Sequence, residues 1–141
     1  MQLADVFRRV IDEGFNRGNF DAWDDCMAQQ MAEHQYGLPP ALAELKRAIG
    51  ALRAAFPDFH LTIDDTVTNG DTVWARMTAT GTHRGPFFGL APTGKTFSIC
   101  VIDVCRFENG KIVEHWGVPD RFALLDQLGG LRRGAPEPAR A

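Results

Sequence analysis

The chain has 141 residues, a formal net charge of −3 and a composition that is 45% hydrophobic. That is one domain with a full core rather than two, and it excludes a disordered chain. The mild acidity argues against nucleic acid as a partner, no apolar run reaches the roughly 20 residues that cross a bilayer, and Asp5 and Asp12 break up any signal-peptide pattern at the N-terminus.

Residues 3–15 place Leu3, Val6, Phe7, Val10, Ile11 and Phe15 at three- and four-residue steps, which predicts an amphipathic helix. Asp21 is read as the cap of a short second helix over residues 22–30. Pro39-Pro40 opens a third helix whose stripe is Leu42, Leu45, Ile49, Leu52 and Phe56, and Pro57-Asp58 stops it. The period then changes from 3.6 to 2. Strands are predicted from Phe59 and over 72–82, with a turn at Asn69-Gly70. A Gly- and Pro-rich loop, 83–94, leads to two long strands, 96–107 and 111–118, joined at Asn109-Gly110. A last helix covers 121–128. Residues 1–131 form the domain, and a disordered tail is expected over 132–141. Helices, then a four-stranded meander, then a helix define an α+β fold, with the sheet covered on one side. Strands this long curl, and a curled sheet with helices across its mouth encloses a pocket.

A two-residue hairpin at Asn109-Gly110 fixes a register. It pairs Cys105 with Glu114 and Asp103 with Trp116, so these four share a face with Phe107 and Ile112. His115 then faces away and reads as structural. Both faces of the sheet are mostly apolar, so one is expected under the helices and the other under a second subunit, giving a homodimer.

Asp103 stands mid-strand among apolar residues. It is therefore either paired, with Arg76 or a Trp N–H, or functional. Asp120 precedes Phe122-Ala123-Leu124-Leu125. It is either a helix cap or a general acid/base at the pocket rim. Glu114 reads as a rim or interface residue. His34, His60, His83 and His115 show no metal-ligand spacing, so no metal site is expected. Cys26, Cys100 and Cys105 lack CxxC spacing and fit reduced thiols in a cytoplasmic protein. Cys105 has no base beside it, and its reading is a small buried side chain. A formal P-loop, Gly89-Leu90-Ala91-Pro92-Thr93-Gly94-Lys95-Thr96, is followed by a strand pattern where a phosphate loop needs a helix, which speaks against nucleotide binding. Ten Phe and three Trp against one Tyr suggest a cavity wall with few polar handles.

Several segments together resemble the SnoaL-like polyketide cyclases and predicted ester cyclases. They are Gly81-Thr82-His83-Arg84-Gly85, Pro92-Thr93-Gly94-Lys95, Arg106-Phe107, the run from Gly110 to Trp116, Asp120 and Gln127-Leu128-Gly129. Asn16-Arg17-Gly18-Asn19-Phe20-Asp21, His34 and Phe56-Pro57-Asp58 extend the likeness upstream, so that it spans residues 3–130. The resemblance implies a nuclear-transport-factor-2-like cone around an apolar cavity. It also implies a cofactor-free intramolecular aldol cyclisation of a polycyclic or polyketide-like ester. The family's acid/base Asp falls on Asp120, with Asp103 assisting. The family's partner His belongs on the preceding long strand, where this chain offers Asp103 and Cys105. His34, Trp116, Phe15, Cys105, Met77 and His83 are the expected substrate-binding set. Epoxide opening or dehydration on the same scaffold, or a binding or dimerising module without chemistry, are the alternative functions.

Overall fold

The computed structural model describes residues 2–131, and the tail expected over 132–141 lies outside the described residues. The first helical stripe forms as its spacing demands. Helix α1 (Leu3–Arg9) runs on into a wider π-type segment, Val10–Asn16, and together they bury Val6, Phe7, Val10 and Ile11. A methyl group on Gly14 would overlap the Trp23 indole, so only glycine lets that ring pack here. Trp23 Nε1 donates to the carbonyl of Val10 at 3.0 Å, which satisfies the indole inside the core.

The second helix expected over 22–30 does not form. A 3₁₀ turn, Phe20–Asp25, gives way to strand β1 (Met27–Glu33), and Asn19 rather than Asp21 stands at the cap position. Met-Ala-Gln-Gln-Met-Ala-Glu has good helix formers, but tertiary pairing overrides propensity. Strand β1 lies parallel to the last strand, with the N–H of Ile112 donating to the Cys26 carbonyl at 2.8 Å and the N–H of His34 to the His115 carbonyl at 2.9 Å.

Helix α2 (Leu42–Ala55) buries Leu42, Leu45, Ile49 and Ala55 along its expected stripe. Beyond it, β2 (His60–Asn69), β3 (Thr72–Thr82), β4 (Thr96–Glu108) and β5 (Lys111–Pro119) make the expected antiparallel meander. With β1 the sheet has five strands in the order β1-β5-β4-β3-β2. Helix α3 (Arg121–Gln127) closes the chain. The inner face carries Val73, Ala75, Met77 and Ala79 of β3, all buried in one core with α1, Trp23 and α2. Thr96 opens β4 directly, so no helix follows the P-loop-like stretch and it lacks the architecture of a phosphate loop.

The β4–β5 register departs from expectation in one place. Glu108 pairs with Lys111 and Phe107 with Ile112 across a turn where Asn109 and Gly110 both have positive φ, at 53° and 75°. Arg106 then pairs with Glu114, which leaves Val113 as an extra residue in a bulge. Because side chains alternate, that single residue exchanges the faces of everything after it on β5. His115, now paired with Cys105, turns to the face of Asp103. Trp116 and Glu114, expected beside Asp103, turn outward.

Candidate functional site

A cavity of about 280 Å³ opens between the inner face of the sheet, α2 and the loops 35–38 and 87–88. Its walls are apolar and rich in aromatic rings: Phe15, Phe56, Phe59, Phe87, Phe88 and Phe97 all line it. Edge-to-face contacts order three of these rings, with Phe56 meeting Phe87 and Phe97 at 5.0 Å between centroids. The aromatic excess of the composition thus serves a cavity wall as well as the core.

An acid and an imidazole, Asp103 and His115, interrupt this wall on the sheet side. Asp103 is buried, and its Oδ1 lies 3.4 Å from His115 Nε2. That is ion-pair distance without the alignment of a hydrogen bond, and Oδ1 has no hydrogen-bonding partner within the protein. On the other side, His115 Nδ1 lies 2.7 Å from Oε1 of Glu33, whose side chain is only 2% exposed. The same Oε1 accepts the backbone N–H of Gln35 at 2.9 Å. The parallel pairing of Glu33 with His115 brings this carboxylate here. A smaller chamber of about 30 Å³ lies behind, touched by Glu33, Asp103 and His115 among apolar side chains. Gly117 pairs with Asp103. A methyl group there would overlap Gln35 Oε1 and sit 2.9 Å from Asp103 Oδ1, so glycine keeps room for both polar side chains.

The electrostatics follow from burial and charge. Burial alone would lower the His115 pKa, but the Asp103 and Glu33 carboxylates more than offset it and push the value up to about 10. The imidazole is therefore a cation at neutral pH, held between two carboxylates. Burial, then Asp103 and Glu33, push the Cys105 thiol well above its ordinary value. It remains a neutral thiol in the small chamber, not a nucleophile.

The sequence-expected residues divide sharply. Asp103 and Phe15 line the cavity. Cys105 lies in the chamber behind, and Met77 is fully buried in the core. Neither His34 nor Trp116 reaches the cavity. They stack on each other, 4.7 Å apart and within 7° of parallel, and His34 Nε2 lies 2.8 Å from Glu114 Oε2. Glu114 also accepts from Arg106 Nε at 2.8 Å. Arg106 first, then His34, lowers the carboxyl pKa of Glu114. His83 is fully buried under the 83–94 loop, with Nδ1 at 2.9 Å from Thr93 Oγ1 and its ring stacked on Phe56. Arg76 does not pair with Asp103. It faces outward, 4.0 Å from Asp64. Asp120 is exposed and caps α3, accepting the N–H of Ala123 at 3.0 Å. Its neighbours Pro119 and Arg121 line the cavity, whereas Asp120 does not.

Sequence reasoning missed His115, Glu33, Gln35 and Arg121. One signal was available for His115. A buried Asp103 demands a partner, and only a one-residue bulge in β5 supplies one from the adjacent strand. Glu33 carried no such signal, because its segment reads as helix.

Comparison with known proteins agrees with this architecture. The model of the SnoaL-like polyketide cyclase family matches residues 5–128. Nogalonic acid methyl ester cyclase of Streptomyces nogalater is 30% identical over 122 residues, covering 82% of this chain and 89% of that protein. Aklanonic acid methyl ester cyclase AcmA of Streptomyces galilaeus is 42% identical over 59 residues, a match spanning 42% of this chain and 41% of that one. Among solved structures, TsrD from Streptomyces laurentii superposes with a TM-score of 0.84 at 29% identity, over 92% of this chain and 96% of its own. IdmH from Streptomyces antibioticus follows at 0.81 and 32%, over 92% and 99%. The chain belongs to the SnoaL-like polyketide cyclase family and shares the curved-sheet fold of its solved relatives.

Proposed function

We propose that this protein closes a ring in a polyketide ester by an intramolecular aldol reaction, with Asp103 as the acid/base. The observation that carries this reading is the Glu33–His115–Asp103 array, set in the wall of an apolar cavity. Asp103 takes a proton from a carbon flanked by carbonyl groups. The resulting enolate carbon bonds to a second carbonyl carbon of the same molecule, and the alkoxide so formed takes the proton back from Asp103. No atom is gained or lost, and no external electrons are needed. His115 balances the charge of Asp103 and orients it, and Glu33 fixes the ring from behind. The apolar wall excludes water that would compete for the enolate. Two copies of the chain are proposed to pair through the outer face of the sheet, whose exposed apolar residues include Trp74, Trp116 and Val118.

The test is turnover of a panel of polyketide methyl esters, beginning with those for which the two relatives are named. Asp103→Asn should lose roughly 10²–10⁴-fold in rate, the usual weight of a positioned acid/base. Asp120→Asn should stay near wild type, because an amide oxygen still caps the helix. Full activity of Asp103→Asn would overturn the assignment. Loss confined to Asp120→Asn would move the chemistry to the rim.

A further inference from the structure

Arg121 is the first residue of α3 and stands where two cavity-lining loops meet. Its guanidinium carbon lies 4.6 Å from the centroid of the Phe88 ring. Its Nη1 lies 4.0 Å from where a Cβ would sit on Gly37. One loop contributes Phe88 and the other Gly37, so the guanidinium spans the space between them at the cavity. Its Nε is buried and has no hydrogen-bonding partner within the protein. Among the described residues no carboxylate forms an ion pair with it, unlike Arg9, Arg17, Arg76 and Arg106. A buried donor without an acceptor is disfavoured, and a planar guanidinium fork matches a delocalised oxyanion better than any other side chain does.

We infer that Arg121 anchors the substrate by a delocalised anionic oxygen, and that the cavity selects planar conjugated molecules carrying one. The walls supply the planarity, since rings stack or meet edge-on with flat ligands. The charge balance makes the selection sharp. The Glu33–His115–Asp103 array sets two carboxyl groups against one imidazole, so the cavity without Arg121 would not attract an anion. Phe88 holds the guanidinium in place through its ring face, so its donors are oriented before a ligand arrives. This inference deepens the cyclase reading and rests on it only for the cavity being the substrate site.

Equilibrium binding separates the two, because it needs no turnover. Isothermal titration at pH 7.5 would compare 2-naphthoate with 2-naphthamide, which share shape and differ in charge. The wild type is expected to bind the carboxylate roughly tenfold more tightly or better, the usual weight of a charged hydrogen bond. Arg121→Met should lose that preference while keeping its affinity for the amide, which also shows that the variant is folded. Arg121→Lys should keep part of it. The inference is overturned if the wild type binds both ligands equally or neither. It is equally overturned if Arg121→Met retains the preference, or weakens both ligands alike. A dead Asp103→Asn enzyme that still prefers naphthoate would support the anchor and the cyclase reading separately.

Discussion

His115 shows how one residue ties stability to the site. Its side chain is 14% exposed and touches a carboxylate at each ring nitrogen. The pKa near 10 in the folded state lies above the roughly 6.5 of an unfolded histidine. Folding therefore binds the proton more tightly, and this contribution is complete below about pH 6.5. It fades as pH rises through 10, where a neutral ring leaves two buried carboxyl groups without a cation between them. The melting temperature of the wild type should fall between pH 6.5 and 10. His115→Gln should start lower at pH 6.5 and lack that decline. Parallel curves for the two proteins would show that His115 does not hold the charge assigned to it. Cys105 offers the complementary case. Burial and the same carboxylates keep it a thiol, so it packs rather than reacts.

At the level of elements, the cap of α3 gives a separable prediction. Asp120 is the side chain that accepts the Ala123 N–H at the start of a seven-residue helix. Asp120→Ala should cost about 1 kcal/mol of unfolding free energy by urea titration, and Asp120→Asn much less. An Asp120→Ala protein as stable as wild type would mean that the cap contributes nothing. The same scale shows what the sequence could convey. Period and punctuation place α1, α2, the four antiparallel strands and α3, because each carries its own stripe, alternation or turn residues. Asn109-Gly110 even specifies its turn type, since both residues tolerate positive φ. Strand β1 was hidden because its identity depends on an open edge of β5 far along the chain, a tertiary fact that propensity does not contain. The bulge at Val113 was hidden for a similar reason. Two registers one residue apart are locally alike, and only burial decides between them. Of the candidate site, Asp103 and Phe15 are legible as charge or bulk in an apolar pattern. His115 depends on the bulge and Glu33 on the pairing of β1, so their meeting requires both of those tertiary facts.

The two faces of the sheet differ in what covers them. The inner face is used up by the core and the cavity. On the outer face Val67 pairs with Trp74, Trp74 with Val104, and Val104 with Trp116, which makes one apolar row across four strands. Ile102 and Val118 form a second pair beside it, and a shallow groove of about 210 Å³ runs between Val67, Trp74 and Ile102. Trp74 is 53% exposed and Val118 68% exposed, and contiguous exposed apolar surface of this kind marks interaction sites. The His34–Glu114 hydrogen bond and the Arg106–Glu114 ion pair edge this surface and contribute little by themselves at a solvated site. Like the rim of an interface, they orient more than they stabilise. A sheet-to-sheet pairing would cover the row on both copies at once, because a two-fold axis sets the same patch against itself. A stable pairing needs about 800 Å² from each partner, within reach of five strands of this length. Sedimentation velocity should therefore show a dimer for the wild type. Trp74→Glu combined with Val118→Glu places buried charges across the axis and should shift the protein to monomer with its far-UV spectrum unchanged. A wild type that sediments as a monomer at micromolar concentration would leave the outer face without this role. Neither substitution touches the cavity, so the monomer should still bind 2-naphthoate, and the two faces of the sheet would then be shown to work independently.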